Sequence, residues 1–278
     1  MAKGIGLIGN FRGKVGNMVG YNLKDSNNKQ TQGVRVYQPV VKNPKTAGQA
    51  EQRAKLAPIN ATYRALKSII DRGQEGKAYG NKSRLAWLSD AMKAFNGGWF
   101  QKGAAITAPA LVPLTKGSLG VIDGIDTDIA SANLNVTGVT AAGTTTIGAL
   151  STALIAEYRF LKDGDQLTFI VIKQNSDFID ARFDSFVIDT TSASALPSFI
   201  LIEDGNIKFF NSDAASIACT VIASREGNNG AHLRSTANLV QLPDFPEEVM
   251  GAAAKTAAVE SYMSAGANTD WAEESLQD

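Results

Sequence analysis

The chain holds a single cysteine, Cys219, and a single histidine, His232, in 278 residues. One thiol excludes an intrachain disulfide. One imidazole means that a Ser-His-Asp triad or a histidine-based metal centre would have to be built around a residue flanked by a Gly/Asn-rich turn, where a turn histidine is the expected reading. Cys219 lies in the run Ser216-Ile217-Ala218-Cys219-Thr220-Val221, which reads as a buried strand carrying a core thiol and not a nucleophile. No stretch of about 18 uninterrupted apolar residues occurs, so no membrane span is expected. The opening Met1-Ala2-Lys3-Gly4 lacks the apolar core of a secretory leader, and no export through a cleaved signal is expected.

Phosphate and metal chemistry is also thinly represented. No G-x-x-x-x-G-K-[ST] and no G-x-S-x-G occurs. Gly4-Ile5-Gly6-Leu7-Ile8-Gly9 matches G-x-G-x-x-G letter for letter, but only three residues precede it, too few for the strand that must deliver the loop to a pyrophosphate. Asp123, Asp126 and Asp128 offer three carboxylates to a hard cation without the ligand order of an EF-hand, and a solvated acidic loop is the expectation. Asp163 and Asp165 flank Gly164 in what reads as a hairpin turn, where aspartate serves the backbone. No catalytic residue, cofactor or metal is expected, and the chain reads as a non-enzyme.

Charge of one sign is scarce in each half. Residues 1–102 carry 18 Lys or Arg against 5 Asp or Glu, and residues 103–278 carry 9 against 22, so the halves stand near +13 and −13. A basic, Gly-rich front on an acidic body suits contact with polyanion or with an oppositely charged neighbour. Arg12, Lys14, Arg35, Lys42, Arg53 and Lys55 are the candidate contacts to nucleic acid or to another subunit, with Phe11, Tyr21 and Tyr37 interleaved for stacking on unpaired bases.

Glycine at 4, 6, 9, 13, 16 and 20 makes an independent helix improbable, so residues 1–42 read as an extended or looped basic arm, with a short strand within Gln30 to Val41. Residues 43–102 read as a basic helical hairpin. Its first helix starts at Asn43-Pro44, is kinked or divided by Pro58 and runs toward Gly73; its second shows the stripe Leu85, Leu88, Met92 and Phe95. Residues 103–113 read as a linker. In 114–245, runs at Ala153 to Leu161, Gln166 to Lys173, Ala181 to Asp189, Ser198 to Glu203, Asn206 to Phe210, Ala215 to Ser224 and Arg234 to Leu242 read as strands of an antiparallel β-sandwich or barrel, of which a jelly roll is one form. Residues 246–278 read as a helix opened by Pro246-Glu247-Glu248, then an acidic tail. The fold class is α+β.

Gly13-Lys14-Val15-Gly16, Asn43-Pro44-Lys45-Thr46 with Gln49, Gln52 and Arg53, and Lys116-Gly117-Ser118-Leu119 resemble an uncharacterised family of Bacteroidetes bacteria and their phages. Ser224-Arg225 and Arg234-Ser235-Thr236-Ala237 look similar to the C-terminal half of that family. The resemblance brings no catalytic residue. It implies a bacteriophage virion component, assembled in the bacterial cytoplasm, whose partners are further copies of itself, other virion proteins and a single-stranded DNA genome, with no membrane. A capsid or shell subunit is the leading expectation; an accessory tail, spike or internal DNA-binding protein is the alternative, and a β-sandwich hydrolase a remote one.

Overall fold

The computed structural model describes residues 13–24, 30–37, 46–126, 132–139, 146–203, 205–209, 216–227 and 232–264. The chain divides into two compact units, one formed by 1–45 with 266–278 and the other by 46–265. Overall the protein is α+β, with a sandwich-like β region.

In the first unit, β1 (Gly13–Val15), β2 (Met18–Lys24) and β3 (Gln30–Val36) form an antiparallel sheet in that order. The described part of the glycine-rich stretch, from Gly13 on, is therefore extended, as a β-hairpin. Gly16 at φ 56° opens the two-residue turn Gly16-Asn17, a backbone state that other residues rarely adopt. Tyr21 pairs across the strands with Gly33, and a Cβ on Gly33 would lie 2.7 Å from the Tyr21 ring. The outer end of the tyrosine ring thus occupies the place where a side chain is missing.

The second unit begins with α1 (Ala47–Ala65), capped by Thr46, whose Oγ1 accepts a hydrogen bond from the Gln49 amide at 3.3 Å. Asn43-Pro44, the start expected from sequence, lies outside the described residues. Pro58 does not divide the helix. The break comes at fully buried Leu66, after which α2 (Lys67–Ile70) follows. In α3 (Asn81–Ala94) the buried residues are Ser83, Trp87 and Ala91, while Leu85 is exposed. The indole N–H of Trp87 donates to the Pro113 carbonyl at 2.8 Å, and this bulky side chain sets the inward face.

After β4 (Pro113–Thr115), β5 (Ile125–Asp126) and β6 (Ala132–Asn135) comes α4 (Ile147–Glu157). The strand expected at Ala153 to Leu161 is mostly this helix. Thr146 caps it, and Leu150, Ser151 and Leu154 bury one face at helical spacing. Then follow β7 (Gln166–Gln174), β8 (Ile179–Val187), β9 (Ile200–Glu203), β10 (Asn206–Phe209), β11 (Ser216–Glu226), β12 (His232–Arg234), β13 (Ala237–Asn238) and β14 (Val240–Gln241). Past Pro246 a single 3-10 turn, Glu247–Val249, precedes α5 (Gly251–Ser264), so the final helix is broken at Met250-Gly251.

One sheet runs β12-β11-β7-β8 with β14 on β11; another runs β5-β6-β10-β9; β13 pairs with β4. The larger sheet is covered on both faces. Leu167, Phe169, Val171, Cys219, Val221 and Ala223 face a core shared with α4 and the four-stranded sheet. Ile170, Ile172, Ala218 and Ile222 face a second core with Ile59, Leu66, Ile70 and Trp87 from the helices. Burial on both sides explains why β7 and β11 read as continuous apolar runs, each large side chain worth about 1.5–3 kcal/mol. The helices of 43–102, the connection at 103–113 and the strands of 114–245 thus fold around shared cores.

Candidate assembly interface

The register of the N-terminal sheet sorts its side chains onto two chemically different faces. Lys14 pairs with Val19, and Val19 with Arg35, so Lys14, Val19 and Arg35 form one cross-strand row. Two strand spacings put the Lys14 and Arg35 backbones about 10 Å apart. Tyr21 shares this face, and the Lys14 ammonium sits 3.6 Å from the centroid of the Tyr37 ring. On the opposite face Val15, Met18 and Val36 form one row, and Gly13, Gly20 and Val34 the next. Val15, Met18, Val34 and Val36 are between 41% and 76% exposed. A small sheet with this much exposed apolar surface on one face is marginal alone and marks an interaction surface.

Of the six candidate contact residues, Lys14 and Arg35 come together here and both are exposed. Arg12 and Lys42 lie outside the described residues. Arg53 is exposed on α1 beside an open depression of about 300 Å³ with Leu56, Asn60, Lys102 and Tyr262. Lys55 is used within the body: it is 2.9 Å from Glu51, which also meets Lys255 at 3.1 Å, and both lysines lie over Trp99. These two lysines, by hydrogen bonding and charge, hold the Glu51 carboxyl below its ordinary range. The sequence reading reached only the strand within Gln30 to Val41, where Val34 and Val36 alternate with Gly33 and Arg35; in β2 Met18 is followed by Val19, so no period-two pattern marks the rows that join Val15 and Met18 to it.

Several of the other tempting groups serve the fold. Cys219 is fully buried, and burial pushes its thiol up to about 12. His232 is exposed at the start of β12, opposite Glu226. Asp123 uses its backbone carbonyl to accept the Tyr158 hydroxyl, whose burial raises its pKa to about 12. The Asp126 side chain, Asp128 and the segment Gly4–Gly9 lie outside the described residues, and among those described no cluster of metal-ligating side chains occurs. Asp163 ties down Thr190. Asp165, read as a turn residue, is fully buried: Arg225 donates to both its oxygens at 2.6 and 2.7 Å and to the Phe160 carbonyl at 2.6 Å.

The short sequence pieces scattered along the chain also meet. Glu75 accepts from the Ser118 amide and hydroxyl at 2.8 and 2.7 Å and from the Arg234 amide at 3.1 Å. The Leu119 amide bonds the Arg234 carbonyl, Ser235 Oγ accepts from Ala223 N–H, and Thr115 Oγ1 donates to the Ser235 carbonyl. Lys116-Gly117-Ser118-Leu119 and Arg234-Ser235-Thr236-Ala237 are therefore one joint between the α2–α3 connection and β12. It borders an open depression of about 580 Å³ lined also by Lys77, Ser89 and Asp90. Glu75, the carboxylate best placed to act there, has both oxygens committed to the joint.

Fold and surface together define an α+β protein that carries a separate, amphipathic β-sheet unit. Searches against family models, curated proteins and solved structures find no match to this chain. Among the described residues no helix is long and apolar enough to cross a membrane.

Proposed function

We propose that this chain is a self-assembling structural subunit. The observation that carries the reading is the N-terminal sheet, whose Val15, Met18, Val34 and Val36 stand in solvent on a unit separate from the body. The opposite charges of the two halves support it, because they steer copies together by unlike ends. A virion is the setting that the sequence resemblance points to, as a capsid or shell protein. A second reading rests on the other face of the same sheet: the row Lys14–Val19–Arg35 beside Tyr21 and Tyr37 has the cation-and-ring composition that tracks single-stranded DNA. Both uses fit one shell subunit with a face toward a genome.

Light scattering of the purified full chain, followed by electron microscopy, tests the reading. Shells, tubes or discrete oligomers are expected, weakening as salt rises from about 50 to 500 mM because the charge contacts are screened. A monomer at every concentration and salt rejects it. Filter binding of single-stranded DNA separates the two faces: Lys14→Ala with Arg35→Ala lowers affinity and the salt slope only if the basic face meets the genome.

A further inference from the structure

We propose that β3 of one copy adds to β8 of a second copy as an antiparallel strand, with Arg35 opposite Asp184 and Val36 opposite Phe183. This names the partner surface for the self-assembly reading and rests on it. β8 is the last strand of its sheet, nine residues long. Its first part is closed: Ile179 and Ala181 pack into the helical core, and the Asp180 carboxylate takes the Ala181 amide at 2.8 Å. That bond also fixes polarity, because backbone groups of alternate residues point to opposite edges. The N–H and C=O of Phe183, Ser185 and Val187 therefore point outward. Among the described residues, no backbone bond closes this edge at Phe183 and Ser185.

β3 is likewise the end of its sheet. The Tyr37 amide bonds inward to the Asn17 carbonyl, so Val34 and Val36 present their backbone groups outward. Pairing the two edges sets apolar beside apolar, since Val34 and Val36 are exposed on one face and Phe183 and Val187 on the face they would join. Charge then selects the register. With Val36 opposite Phe183, Arg35 stands opposite Asp184, whose half-exposed carboxylate is 3.9 Å from Arg182, and Tyr37 stands opposite Arg182. A shift of two residues one way sets Arg35 against Arg182, and the other way sets it against Phe186. The occupant is a second copy because this chain supplies the complementary edge, apolar row and charge.

The test uses cysteine pairs in the full chain, where Cys219 is buried and silent. In the stated register Arg35 and Asp184 form a non-hydrogen-bonded pair, with Cα atoms about 4.5 Å apart, close enough for a disulfide. Mixed Arg35→Cys and Asp184→Cys proteins are expected to give a cross-linked heterodimer under mild oxidation, and Arg35→Cys with Arg182→Cys much less. Asp184→Lys should weaken association about tenfold, and Arg35→Glu with Asp184→Lys should restore it to within about threefold. Assembly without the selective cross-link overturns this inference and leaves self-assembly standing. A concentration-independent link within a single Arg35→Cys, Asp184→Cys chain overturns the second-copy occupant. A monomer under all conditions overturns both readings.

Discussion

Removing the guanidinium of Arg225 would leave the Asp165 carboxylate fully buried without the two charge-assisted hydrogen bonds it now accepts from that side chain. Arg225→Ala is therefore expected to cost about 3–5 kcal/mol, read as a lower urea midpoint with unchanged slope. A loss under about 1 kcal/mol would show that water reaches Asp165. Glu75 gives a pH signature of known sign. Burial alone would raise its carboxyl, but the bonds from Ser118 and Arg234 outweigh burial and hold it below the ordinary 4.5. The folded state thus binds this proton more weakly than the unfolded chain. Its contribution is complete above about pH 4.5 and is lost as pH falls through the lower folded value. Glu75→Gln should be less stable near pH 7, and its stability should change less between about pH 5 and 3 than that of the unaltered chain. An identical acid transition would remove Glu75 as the group responsible.

At the scale of elements, Gly117 shows how a short motif holds separate parts of the chain together. A Cβ there would lie 2.0 Å from the Arg234 carbonyl oxygen, a backbone atom that cannot swing aside. Gly117→Ala should destabilise the body by about 1–3 kcal/mol through overpacking, detectable as a lowered thermal midpoint. A neutral effect would mean that β12 shifts freely. This joint was only partly legible in sequence. Its letters were visible, but Glu75 lies 43 residues before Ser118, and no local pattern announces that the two will bond. β7 and β11 were legible, because burial on both faces leaves a continuous apolar run. α4 was not: Leu150 and Leu154 at helical spacing sit among Ile147, Ile155 and Thr residues that also suit a strand. Along α3 three members of the visible stripe, Leu88, Met92 and Phe95, pack against the helical core, while Leu85 is exposed and Trp87, hydrogen-bonded to Pro113, takes the fully buried place beside them. The candidate contact surface was half legible: the cations Lys14 and Arg35 stood out, whereas the valine rows become a face only when three strands are set in register.

Over the whole molecule, the roles proposed for the basic arm and for the folded body can be separated by deletion. Every residue of the two hydrophobic cores lies between Ile59 and Val249, so deleting residues 1–45 removes none of them. It does remove 8 Lys or Arg against 1 Asp or Glu, together with the sheet that bears Val15, Met18, Val34 and Val36. The shortened chain, 46–278, is expected to unfold with nearly the midpoint of the full chain, because the buried apolar area that sets stability is intact. Its light scattering should be that of a monomer and flat across about 50–500 mM salt, whereas the full chain should associate and should lose association as salt screens its charges. Limited proteolysis gives the same division without engineering: cleavage before about Asn43 should release the arm from unassembled protein, leave the body folded, and slow once copies assemble around it. If the shortened chain still assembles, the contacts between copies belong to the body, and neither the apolar row of the arm nor its pairing with β8 can be what holds them.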